Sequence, residues 1–146
     1  MRSKLPFHRQ ETASSCAVAC LRILLEYHGV KVTEAELRER CKTTELGTRA
    51  KDLMACARDF GFDASLEYLT VDQLKSLVDR GIYPIAYINM FPISYIPYTH
   101  AVIIESLRGD RLLMIDPLDG PKEIKLPNFL EGWEVFGNMA IVIRRG

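Results

Sequence analysis

The chain has no net charge, few histidines, no CxxC cysteine pair and no long apolar run, and each absence removes a class of function. Nineteen Lys and Arg balance nineteen Asp and Glu over 146 residues. No overall field draws the protein to nucleic acid or to an anionic membrane, so a nucleic-acid partner is not expected. No apolar stretch reaches the roughly 18–20 residues of a membrane span, so none is expected in this chain. Residues 1–6 are basic but lack the apolar segment of a signal peptide, which makes a cytoplasmic location and reduced thiols the expectation. The four cysteines, Cys16, Cys20, Cys41 and Cys56, show no zinc-ribbon spacing, and neither a disulfide framework nor a metal site is expected.

What remains is ordinary globular material. Hydrophobic residues make up 48% and charged residues 26%, enough apolar content for one core without staples. Residues 1–146 read as a single domain, with no linker, repeat or low-complexity stretch. After an extended arm, Ser14 or Ser15 caps a helix in which Val18, Leu21, Leu24 and Leu25 recur at helical spacing until Gly29. Thr33 with Glu36 forms a capping-box pattern for a second helix. A third is expected from Thr48 to Gly61 and a fourth over 71–80, capped by Thr70 or Asp72. Beyond Gly81 the texture changes to strands, over 83–89, 100–106, 111–116, 123–126 and 139–144. Arg108-Gly109-Asp110 reads as a hairpin turn, residues 117–121 as a second turn, and 127–134 as a short helix. Helices first and antiparallel strands after is an α+β pattern.

Cys16 stands at the first turn of the first helix, where free N–H groups and the dipole favour a thiolate. The dipole contributes only about 0.3–1 kcal/mol, less than one pKa unit, so a stronger partner is needed. An imidazolium supplies it. Of the three histidines, His8 lies in the arm, and His28 lies about 18 Å along the helix from Cys16, where it reads as a capping residue. His100 opens an apolar strand and is the remaining candidate. Asp116 ends the next strand, and a hairpin at Gly109 brings the start of one strand beside the end of the other. Asp116 is then expected to accept from the Nδ1–H of His100. Gln10, six residues before Cys16, carries an amide that can donate to an oxyanion. Cys20, Cys41 and Cys56 read as small buried hydrophobes.

These residues resemble a known family. Gln10-Glu11-Thr12-Ala13-Ser14-Ser15-Cys16-Ala17-Val18-Ala19-Cys20-Leu21, then Tyr27-His28-Gly29, is similar to the N-terminal motif of the C39 peptidases. Gly47-Thr48, Ala57-Arg58-Asp59-Phe60-Gly61-Phe62, Pro84-Ile85-Ala86, His100-Ala101-Val102-Ile103-Ile104 and Asp116-Pro117 follow in the family's order. The resemblance implies a papain-like fold and a cysteine peptidase that cleaves after a double-glycine leader motif through a thioester acyl-enzyme. It implies Cys16 as nucleophile, His100 as base, Asp116 as the residue orienting the base and Gln10 as oxyanion donor, with no metal or cofactor. The partners implied are a peptide substrate and an ABC exporter, whether the domain stands alone or belongs to the exporter. Two positions depart from the pattern, Ser15 where an acid is common and Ala17 where glycine is, and the aromatic segment 90–98 is longer than the family's.

Two other functions use the same residues. An inactive peptidase-like module would hold a peptide without cutting it. An acyl transferase or amidase would direct the triad at another acceptor, and acceptor choice depends on pocket shape and water exclusion.

Overall fold

The computed structural model describes residues 1–146. Helix α1 (Cys16–Tyr27) buries Ala17, Val18, Ala19, Cys20, Leu21, Ile23, Leu24 and Leu25, so it is apolar nearly all round. Such a helix belongs inside a domain, and α1 packs across two central strands. It ends where Gly29 takes φ +89°, which turns the chain back so that Val30 N–H reaches the Leu25 carbonyl.

Helix α2 (Glu34–Arg40) is capped by Thr33, whose hydroxyl accepts from Glu36 N–H. The expected capping box is only half formed, because the Glu36 carboxylate pairs with Arg40 one turn on. Helix α3 (Ala50–Asp59) starts later than Thr48, whose hydroxyl is engaged with Thr43. Helix α4 (Val71–Asp79) has the complete box between Thr70 and Gln73.

Six strands form one antiparallel sheet: β1 (Phe62–Tyr68), β2 (Ile85–Asn89), β3 (Thr99–Arg108), β4 (Arg111–Asp116), β5 (Gly120–Lys125) and β6 (Met139–Arg145). Their order is β1-β6-β2-β3-β4-β5. β1 was not among the expected strands. Only Phe62 and Ala64 are buried along it, and Asp63, Ser65 and Glu67 dilute the strand composition. Pairing with β6 at the far end of the chain makes it a strand. Two short helices complete the fold, α5 (Phe91–Ser94), which falls within the aromatic segment, and α6 (Leu126–Glu134).

Three features of this frame position the site. The β3–β4 hairpin turns at Gly109, φ +59°, and pairs Ile103 with Ile115. Continuing that register sets Asp116 level with Val102, so the His100 and Asp116 side chains leave the same face as diagonal neighbours. Next, α6 leans on the end of β2 at Gly132, where a Cβ would stand 2.2 Å from the Asn89 carbonyl oxygen. Only glycine permits that approach. Finally, the N-terminal arm is pinned at both ends. Glu105, at a bulge in β3, accepts from Ser3 and Lys4, and Gln10 N–H donates to the Pro117 carbonyl.

Candidate active site

Cys16 is the first residue of α1 and is half-buried. Ser15 occupies the N-cap position but does not cap, since its hydroxyl bonds to the Thr12 backbone. The first turn also carries no acidic residue. No side chain therefore competes for the free N–H groups at the start of α1, and that of Ala17 bonds to the thiol. The turn bearing Gly47, φ +107°, lies against the Ser14 carbonyl and bounds a cleft of about 410 Å³ with Lys42, Thr44, Leu46, Thr48 and Arg49.

His100 pairs with Ile88 of β2 and is 3% exposed; Asp116 is fully buried. The His100 Nε2 lies 2.7 Å from Asp116 Oδ1, and that oxygen also accepts from Leu118 N–H at 2.8 Å. The ring is thus turned opposite to the expected orientation: Nε2, not Nδ1, faces the carboxylate. His100 lies two residues before Val102, the position level with Asp116, and reaches the carboxylate with Nε2. Nδ1 is left for the thiol.

The three groups shift one another. Burial favours a neutral Cys16, but the hydrogen bond to His100, backbone bonds at Ala101 and Ala17 and the imidazolium charge bring its pKa below the ordinary thiol value. Burial likewise opposes a charged His100, yet the bonds to Asp116 and Cys16 and their negative charges raise it to about 9. For Asp116, burial is outweighed by His100, by the Leu118 N–H and by the Lys122 charge, and its pKa is lowered. A thiolate–imidazolium pair is the favoured state between the two limits.

Gln10 is 6% exposed, its Nε2 donating to the Thr12 carbonyl at 2.8 Å while Oε1 is buried without a partner. Nε2 carries a second hydrogen that this bond does not use. Cys20 is fully buried with its thiol on the Ala101 carbonyl, and burial pushes its pKa well up. Cys41 and Cys56 are buried thiols as well. His28 occupies the C-cap of α1, as expected, and burial and Arg145 lower its pKa. His8 pairs with Glu26 at 3.0 Å. In the aromatic segment Ile93 and Tyr98 pack on the core, Tyr98 against the His100 ring at 5.4 Å, while Phe91, Tyr95 and Ile96 stay exposed.

The Peptidase C39 family profile matches residues 4–145. The chain belongs to the peptidase C39 family. A curated relative is the lactococcin-G-processing and transport ATP-binding protein LagD of Lactococcus lactis subsp. lactis, 29% identical over 124 residues. That alignment takes in 85% of this C39 chain but 17% of LagD, so the chain spans about a sixth of that relative. Among solved structures, a double-glycine-motif protease from an AMS/PCAT transporter, bound to a leader peptide, superposes with a TM-score of 0.81 at 21% identity. The match covers 99% of this chain and 94% of that one. A C39-like peptidase from Bacillus anthracis gives 0.82 at 16% identity, covering 98% and 96%. The α+β papain-like fold of the C39 domains is therefore the fold of this chain.

Two residues of this C39 site were not anticipated. Glu34, fully buried at the start of α2, accepts from Glu11 N–H at 3.0 Å and pairs with Arg38 at 3.3 Å, clamping the arm just before Cys16. Tyr87 on β2 buries a hydroxyl without a partner, and burial together with the Cys16 thiolate charge keeps it neutral. The alternation of 85–89 signals that Tyr87 faces apart from its neighbours. Nothing local signals Glu34, which looks like any acid in a helix's first turn.

Proposed function

We propose that this C39 domain is a cysteine peptidase that cleaves a peptide bond after a double-glycine leader motif, with Cys16, His100 and Asp116 as its triad. The observation that carries this is the 2.7 Å bond between buried His100 and buried Asp116, beside a helix-borne thiol whose pKa His100 lowers. The Cys16 thiolate attacks the carbonyl carbon, and the carbonyl electrons move onto oxygen. As the C–N bond breaks, the His100 imidazolium gives its proton to the departing amine. The acyl group is then a thioester on Cys16. Neutral His100 takes a proton from water, hydroxide attacks the thioester, and Cys16 leaves as thiolate. Asp116 holds the ring throughout and stabilises its charged form. Gln10, through its second Nε2 hydrogen, and the free N–H groups at the start of α1 receive the oxyanion.

The substrate class follows from the family and from what its relatives process. Exposed Phe91, Tyr95 and Ile96, in the segment whose Tyr98 packs on the His100 ring, offer apolar contacts to leader residues upstream of the cut. A cytoplasmic setting and an ABC exporter as partner belong to the same proposal. The test is mass spectrometry of products from paired peptides carrying Gly-Gly or Ala-Ala before the cut. Native protein is expected to cleave only the first, and Cys16→Ala to lose at least about 10³-fold while keeping its fold. Tight binding of the Gly-Gly peptide without turnover would instead make the domain a binding module. Amide products formed only with added amine would make it a transferase.

A further inference from the structure

β5 pairs with β4 so that Asp116 faces Gly120 and Met114 faces Lys122. Lys122 is thereby a diagonal neighbour of Asp116 on one face of the sheet. Its ammonium lies 3.4 Å from Asp116 Oδ2 and 2.9 Å from Asp119 Oδ2. Asp116 Oδ1 is taken by His100 and Leu118, whereas Oδ2 is buried and accepts no hydrogen bond. A buried carboxylate oxygen with nothing against it is costly, and Lys122 is the group the fold sets there.

We propose that Lys122 is a positioning residue of the triad: its ammonium stands on the free oxygen of Asp116, offsets part of the charge that carboxylate presents to His100, and so sets the pH range in which Cys16 and His100 form their ion pair. The proposal rests on the triad described above. It extends that triad into a row of alternating charge running Cys16, His100, Asp116, Lys122, Asp119. The other titratable groups around Asp116 are Cys20 on α1 and Tyr98 before β3, both held neutral by burial. Asp119 is 60% exposed and offsets part of the Lys122 charge.

The direction of the effect follows from the charges. Removing the ammonium leaves Asp116 less opposed, so the imidazolium is stabilised and His100 deprotonates at higher pH. The Cys16 thiolate loses a more distant positive charge, so its ionisation also moves up, by less. Lys122 is 31% exposed, and water limits both shifts.

The test is the pH dependence of Cys16 alkylation by iodoacetamide, with peptide mapping to confirm the site, so that no substrate is needed. Native protein should show two inflections, one as the ion pair forms and one as His100 deprotonates. Lys122→Met and Lys122→Gln are expected to raise the upper inflection alike by about 0.3–0.7 pH unit, less at high salt, while Lys122→Arg retains the native profile. Unmoved inflections in both neutral variants would overturn the role of Lys122 and leave the triad standing, as would an arginine variant that shifts equally. A single inflection at the ordinary thiol value in native protein would overturn the triad and the proposal together.

Discussion

Cys16 is placed by a helix and His100 by a strand, and the two elements hold their residues differently. On the helix side, α1 is locked by eight buried apolar or thiol-bearing residues, and the arm leading into it is held by Glu34 and by the Ser15–Thr12 turn. These contacts are mostly non-directional, and they fix where the helix begins more than any single angle. On the sheet side, His100 depends on register. It is aligned by Ile88 on one flank and by the buried carboxylate that its ring must meet at 2.7 Å. A one-residue slip there would send His100 to the opposite face, because side chains alternate along a strand. The sheet side therefore sets the chemistry of the site, and the helix side its location.

The comparison can be pushed hardest at Asp116. Asp116→Asn keeps the shape but removes the charge that holds His100 near 9. The reactive pair needs Cys16 deprotonated and His100 protonated, so activity exists above the first pKa and below the second. With the Asp116 charge gone, only Cys16 still offsets burial of the ring, and the upper limit falls from about 9. Turnover at pH 7 is expected to drop about 10²–10⁴-fold, and a pH–rate profile that keeps its alkaline limb near 9 would refute the assignment.

Gly132→Ala strikes the same side from behind. The added methyl meets the Asn89 carbonyl at 2.2 Å, and neither backbone can yield easily. A loss of about 1–3 kcal/mol is expected in urea unfolding, with turnover falling in step as β2 shifts under His100. Unchanged stability would mean that α6 is free to move and does not brace the strand.

Glu34→Gln probes the helix side and should do least. The amide oxygen still accepts from Glu11 N–H, but the charge facing Arg38 is lost. Stability is expected to fall by no more than about 1 kcal/mol, with both limbs of the pH–rate profile in place. A displaced alkaline limb would show that the two sides are electrically coupled.

Much of the fold was legible before the structure. The helix around Cys16, the Thr70 cap and the Gly109 hairpin each depend on residues within a few positions of one another, and local rules suffice for them. The hairpin also implied that Asp116 lies beside His100. β1 was not legible, because its strand character comes from β6 and not from its own composition. Helix α5 was missed within an aromatic segment that has no helical periodicity of its own.

The residue types and their spacing decided which thiol, imidazole and carboxylate were available, since only three histidines exist and only His100 suits Cys16. Tertiary structure decided the rest: that Nε2 of His100, and not Nδ1, meets Asp116, that Glu34 clamps the arm, and that Lys122 stands on the free oxygen of Asp116. The physical reason is reach. Helix starts and hairpin turns are short-range events, whereas the contacts that tune charge join residues through strand register and burial, and neither is determined until the whole sheet is assembled.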